Sequence, residues 1–214
     1  MPLLRSPWQR AGPVPTFDTV DLPSQEDRKK RLRFATGSWD TCNVLHWISL
    51  NPSGQKPSGS GLTGKRIFEF AWKWGFDAVA VYNLFPVETP NPKLIGGLIN
   101  LRDGTMRANH QYIASELRGI NEIIVAWGNP PGNLKARVRS STLDLIDAIN
   151  EADPSRVDGL AMWCLGHTKR GHPRHPSPLG RVPMTAIPVR WVPATTYDIG
   201  NTKPPRVPPS VPAP

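Results

Sequence analysis

The sequence predicts an α/β protein, a three-layer α/β/α sandwich around a mostly parallel central sheet. Two observations carry that expectation. Short apolar runs of strand length alternate with longer segments whose apolar residues recur at helical spacing. Each unusual motif then falls directly after a strand-like run, where a parallel sheet sets its ligand loops.

Taken in order, Asn43–Ser49 (NVLHWIS) reads as a buried strand ended by Asn51-Pro52 turn chemistry. A Gly/Ser-rich loop, QKPSGSGLTG, follows it. Lys65–Trp74 then sets Ile67, Phe70, Ala71 and Trp74 on one apolar face of a helix. Ala78–Asn83 (AVAVYN) is a second strand, and Thr105–Arg118 a helix with Met106, Ile113 and Leu117 inward. Glu122–Trp127 (EIIVAW) is a third strand, stopped by Gly128. Ser141–Ala152 reads as a helix with a Ser141/Asp144 cap and with Leu145, Ile146 and Ile149 inward. Gly159–Leu165 (GLAMWCL) is the fourth strand.

Proline divides the 214 residues into a domain and two ends. Five of the 25 prolines occur by Pro23, ahead of the charged run EDRKKR, and seven more lie from Pro193 onward. Such segments are extended and bury little. Residues 1–30 and 194–214 are therefore expected to be tails on a domain spanning residues 31–193.

Apolar runs such as Ile123–Trp127 fall far short of the ~20 residues of a membrane span. Pro2, Arg5 and Pro7 interrupt the stretch a signal peptide would need to be apolar. Cys42 and Cys164 allow one disulfide at most, so a reduced, cytoplasmic setting is expected. Neither a metal site nor another cofactor is expected.

The net charge of +9 is localised. Residues 69–158 are slightly acidic, whereas residues 159–197 hold Lys169, Arg170, Arg174, Arg181 and Arg190 with no acidic residue. Positive charge gathered on particular loops is the footprint expected of a protein that binds a polyanion, most often nucleic acid.

Five motifs carry the chemistry. Gly59–Lys65 fits the G-x4-G-K spacing of a phosphate loop, but Arg66 stands where the magnesium-binding Ser or Thr belongs, and no strand directly precedes Gly59. Lys65 and Arg66 lie instead near a predicted helix start, where a phosphate is favoured. Leu50-Asn51-Pro52-Ser53 ends the first strand, its proline restricting Asn51 to extended backbone. Tyr82-Asn83-Leu84-Phe85 ends the second, and Asn83 offers the donor and acceptor that read a pyrimidine edge. Trp127-Gly128-Asn129 ends the third. After the fourth, Gly171–Gly180 (GHPRHPSPLG) is a proline-stiffened loop that fixes His175 in a basic setting.

In order, these motifs resemble those of the uracil-DNA glycosylase superfamily. Asn51-Pro52 resembles the G-x-N-P-G motif of its mismatch-specific branch, with Ser49 in place of the leading glycine. Tyr82-Asn83-Leu84 with Thr89-Pro90 resembles the strand bearing the pyrimidine-reading asparagine. Ile124–Gly128 resembles its L-L-W-G strand, and His175–Leu179 matches its H-P-S-P-L motif letter for letter. Over roughly residues 31–193 the chain is most similar to an uncharacterised bacterial and phage domain family with motifs L-N-P-S, V-N-L-F, A-W-G-N and G-x-P-R-H-P.

The superfamily resemblance implies a glycosylase-like fold and an enzyme that hydrolyses the N-glycosidic bond of a pyrimidine flipped from duplex DNA. It implies catalytic roles for Asn51, which would place the water, and His175, which would stabilise the departing base. Asn83, Pro52 and Phe85 would hold that base. Lys56, Lys65, Arg66, Lys169, Arg170, Arg174 and Ser177 would contact DNA, with Leu179 wedged into the stack. A monomer acting on DNA, away from membranes, is the expected state. The uracil-excising enzymes carry an aspartate where this chain has Asn51, so slower hydrolysis is expected. The alternative is a phage-type protein that processes or recognises modified bases, keeping the pocket without uracil hydrolysis.

Overall fold

The computed structural model describes residues 17–21, 30–34, 43–52, 62–76, 78–99, 104–156, 159–176, 182–183 and 188–192. Strands β1 (Phe17–Asp21), β2 (Lys30–Phe34) and β3 (Val44–Ser49) precede helix α1 (Leu62–Lys73) and strand β4 (Ala78–Asn83). A 3-10 turn and the short helix α2 (Ile95–Leu98) lead to α3 (Thr105–Glu116) and β5 (Glu122–Val125). A second 3-10 turn, Gly132–Leu134, runs into α4 (Lys135–Ala152), followed by β6 (Ala161–Cys164) and β7 (Val189–Arg190).

The strands form one sheet in the order β1-β2-β4-β3-β5-β6-β7. Its middle, β4-β3-β5-β6, is parallel, and the marginal pairings β1–β2, β2–β4 and β6–β7 are antiparallel. The molecule is thus a mixed α/β protein with a mostly parallel central sheet.

Strand alternation sorts the core into two halves. Leu45, Trp47, Val79, Ile124 and Ala126 pack with Ile67, Phe68, Phe70 and Ala71 of α1. Ile48, Ala80, Tyr82, Ile123, Val125 and Met162 pack with Ile113 and Ala114 of α3 and Val138, Leu145 and Ile149 of α4. The two clusters bury opposite faces of the sheet, which is why the central strands read as nearly unbroken apolar runs. Each large apolar side chain removed from water in this way stabilises the fold by about 1.5–3 kcal/mol.

Three expectations need correction. Residues 1–30 are not wholly a tail, because Phe17–Asp21 pairs antiparallel with β2, Phe17 opposite Phe34 and Asp21 opposite Lys30. Five residues between proline-rich stretches give too short a pattern to read as a strand. Helix α4 starts at Lys135 rather than Ser141. Its inward face runs through Val138, Ser141, Thr142, Leu145 and Ile149, and the two small polar residues hide that periodicity. The Thr142 hydroxyl is satisfied by the Val138 carbonyl one turn back, at 2.7 Å. Ser141 is therefore a buried mid-helix residue and not a cap. Helix α1 begins at Leu62, so Lys65 lies at the end of its first turn.

No helix among the described residues is long and apolar enough to cross a membrane.

Candidate functional site

The parallel strands β4, β3, β5 and β6 all end at one edge of the sheet, and the loops that leave them build the site. On the β3/β4 side, Ser49 and Asn83 are register partners at the two strand ends. The ladder continues past them, Leu84 N–H donating to the Ser49 carbonyl and Phe85 N–H to the Leu50 carbonyl, both at 2.9 Å. Alternation from Trp47 and Val81 sets the Ser49 and Asn83 side chains on the α1 face. The Ser49 hydroxyl is buried there with no hydrogen-bond partner among the described residues.

Asn51 ties the two loops together. Its Nδ2 donates to the carbonyls of Pro52 (2.8 Å), Val87 (3.2 Å) and Thr89 (2.8 Å), while Thr89 N–H returns to the Pro52 carbonyl at 3.0 Å. Three acceptors around one nitrogen fix which end of the amide faces inward. Its Oδ1 is paired with no donor among the described residues and is the end able to accept from a water.

Helix α3 secures the same loop from behind. Asn109 Nδ2 donates to the Asn83 carbonyl at 3.0 Å. Buried His110 hydrogen-bonds Ser141 Oγ through Nε2 at 2.9 Å, and the Leu84 backbone also bonds its ring. Burial lowers the His110 pKa; Asp144 and Leu84 oppose the shift without cancelling it.

On the β5/β6 side the chain after β6 folds into a tight hairpin, with His167 bridged to Pro173. Arg174 N–H donates to the Gly166 carbonyl at 2.9 Å, and Gly128 N–H, just past β5, donates to the Pro173 carbonyl at 2.8 Å. This pair of bonds carries His175 back over the end of β5. Gly128 is in the left-handed region at φ +73°, and a Cβ there would meet the His175 Cβ at 3.1 Å. A glycine is needed for both the turn and the close approach. Burial of His175 favours the neutral imidazole and lowers its pKa. The thiol of Cys164, buried under the same hairpin, is pushed up to about 11 by desolvation, so it stays protonated at neutral pH.

The expected site residues therefore fall into groups. Asn51 and Asn83 end neighbouring strands, and His175 is brought to the end of β5, the strand on the other side of β3. Pro52 is half-buried and serves through its carbonyl. Phe85 is 1% exposed and lies in the α3/α4 core, so its ring has no face left for a base. Lys65 is exposed on α1. Arg66 is committed to the fold, donating from Nε to the Pro176 carbonyl at 2.9 Å and from Nη2 to the Val182 carbonyl, with its guanidinium over Phe70. It is an anchor for the His175 loop. Lys169, Arg170 and Arg174 are exposed on the hairpin. Lys56, Ser177 and Leu179 lie outside the described residues.

Sequence reasoning missed Asn109 and His110. His110 was within reach, since it continues the Met106–Ile113 stripe of α3 and a histidine at an inward position needs a partner. Among the described residues no group of His, Cys, Asp and Glu side chains is suited to hold a metal ion.

Residues 34–177 match the model of a family described as a protein of unknown function, DUF1643, and the chain belongs to that family. No curated protein and no solved structure matches the chain.

Proposed function

Starting from membership in a family with no assigned activity, we propose that this protein is a DNA-binding enzyme with a uracil-DNA-glycosylase-like fold. It hydrolyses the N-glycosidic bond of a flipped pyrimidine. The observation that carries the reading is the gathering of Asn83, Asn51 and His175 at the ends of three adjacent parallel strands, β4, β3 and β5. The motif order shared with the glycosylase superfamily and the cations on the neighbouring hairpin add support.

In this reading Asn83 reads the base edge. The C1′–N1 bond breaks with its electron pair leaving on the base. A water oriented by Asn51 Oδ1 adds its oxygen to C1′, and a proton passes to the base. His175, neutral because it is buried, donates from its ring N–H to the base carbonyl and stabilises the leaving anion. A fixed donor of this kind is worth roughly 3–4 kcal/mol of transition-state stabilisation.

The test is incubation with oligonucleotides bearing uracil, hydroxymethyluracil or bulkier pyrimidines, followed by alkaline cleavage and mass analysis. One of them is expected to yield an abasic product. His175→Ala should slow its formation by roughly a hundredfold or more while DNA binding stays nearly intact. Absence of base release from every oligonucleotide sinks the hydrolytic reading. One observation favours the recognition-only alternative: both Asn51 N–H groups are engaged by backbone carbonyls, a structural duty that needs no chemistry. Tight binding of one modified base without release would mark that outcome.

A further inference from the structure

We propose that the Ser49 hydroxyl is a second base-binding group, which hydrogen-bonds the edge of the flipped pyrimidine beside Asn83. The proposal rests on the base-binding half of the preceding reading and is independent of the hydrolytic half.

Ser49 and Asn83 occupy one level of the sheet. They are register partners on the parallel strands β3 and β4, whose backbones lie about 4.8 Å apart. Both backbones are fixed there: the Ser49 carbonyl accepts from Leu84 N–H at 2.9 Å, and the Asn83 carbonyl from Asn109 Nδ2 at 3.0 Å. On the other side of β3, Ala126 N–H donates to the Ile48 carbonyl at 2.9 Å, and the register of Ile48 with Val125 brings Ala126 level with Ser49. Below this level the α1 face of the three strands is apolar, built from Val79 and Val81, Leu45 and Trp47, and Ile124. At this level it becomes Asn83, Ser49 and Ala126, two polar side chains and one small one. The change falls at the same height on β4 and β3, at the strand ends where a parallel sheet carries its ligands.

The Ser49 hydroxyl is the odd member of the set. Ser49 is 8% exposed, and its Oγ is buried with no hydrogen-bond partner among the described residues. Other buried hydroxyls are satisfied: Ser141 Oγ by His110, Thr142 Oγ1 by the Val138 carbonyl and Thr89 Oγ1 by the Asn91 carbonyl. The indole N–H groups of Trp47, Trp127 and Trp163 are also buried without a partner, but each belongs to a ring whose large apolar area drives its burial. A serine gains almost nothing that way. An unsatisfied hydroxyl beside a base-reading amide is a local rule broken at a functional site, and a ligand is what satisfies it.

The two side chains do different work. The Asn83 amide presents a donor and an acceptor, while a hydroxyl rotates to donate or to accept. Asn83 therefore sets which pyrimidine fits. Ser49, one strand spacing away, bonds a further atom of the same edge and adds affinity for each base that Asn83 admits.

The experiment uses the full chain and duplexes carrying one uracil, hydroxymethyluracil or bulkier pyrimidine on a 2′-fluoro sugar, which resists base release. The same duplex with an abasic analogue at that position is the reference. The ratio of the two affinities, read by fluorescence anisotropy, isolates the contribution of the base. Ser49→Ala should lower that ratio about 3- to 10-fold for every base the wild type prefers, one hydrogen bond's worth, with abasic affinity unchanged. Its melting temperature should equal or exceed that of the wild type, because no partner is stranded. Asn83→Ala is the control and should lower the ratio too. If Asn83→Ala lowers it and Ser49→Ala does not, the Ser49 assignment is overturned and the base reading stands. A reduced melting temperature with an unchanged ratio in Ser49→Ala also overturns it, and would assign the hydroxyl to a structural water. A wild-type ratio near one for every base sinks the base reading and Ser49 with it. A ratio lost in Ser49→Ala, with no base released from ordinary sugars by the wild type, leaves Ser49 standing and overturns hydrolysis alone.

Discussion

The two halves of the sheet edge are held by different physics. Around β3 and β4 the loops are fixed by neutral side chains bonded to backbone carbonyls: Asn51 to Pro52, Val87 and Thr89, Asn109 to Asn83, and His110 between Leu84 and Ser141. Around β5 and β6 the hairpin is held largely by its own backbone and displays Lys169, Arg170 and Arg174 to solvent. The first half is a rigid, nearly uncharged frame, and the second a basic arm laid against it at Gly128. Neutral bonds at close range are insensitive to salt, whereas exposed cations are screened within about 10 Å at ordinary ionic strength. Under the proposed function, the division separates the group that reads a base from the groups that hold a backbone.

The sharpest way to break this arrangement is at the junction. Gly128→Ala introduces a left-handed non-glycine residue and a 3.1 Å contact with His175, so it should destabilise the fold by about 1–3 kcal/mol and displace the imidazole. Turnover should fall about as far as in His175→Ala, with a lowered melting temperature as the distinguishing readout. A Gly128→Ala protein with full activity would show that His175 does not depend on that approach.

A smaller effect is expected within the neutral frame. Asn51→Ala strands three carbonyls and should cost about 1–3 kcal/mol by denaturant unfolding. Asn51→Asp is the more informative variant. It supplies the carboxylate found in the uracil-excising enzymes but turns an acceptor towards those carbonyls, so its stability should be no better than that of Asn51→Ala. If the aspartate variant is as stable as the wild type, the amide is not the clasp between the loops.

The mildest effect is on pH dependence. His110 has its folded pKa lowered by burial below the unfolded value near 6.5, so the unfolded chain binds the proton more readily. Its contribution to stability is complete above that unfolded value and is lost as the pH falls through the folded pKa. His110→Gln keeps a hydrogen-bonding group and should flatten the acid side of the stability profile, measured as the denaturant midpoint against pH. An unchanged slope would remove His110 from the account.

Much of this molecule is written locally. The four parallel strands, helix α1 and helix α3 follow from runs such as AVAVYN and from the Ile67/Phe70/Ala71 spacing, because burying an apolar face needs only a pattern a few residues long. The same locality sets Asn51, Asn83 and the His175 loop after strand-like runs. Tertiary structure alone decided the marginal strands β1 and β7, whose short segments form through a neighbour's hydrogen bonds and not through their own periodicity. It also decided what the polar side chains do. Asn51 meets acceptors up to 38 residues away, and Arg66 acceptors 110 and 116 residues away. Hydrophobic burial depends on pattern and is legible along the chain, whereas a hydrogen bond or a charge contact needs one particular partner, and only the folded sheet brings that partner within reach.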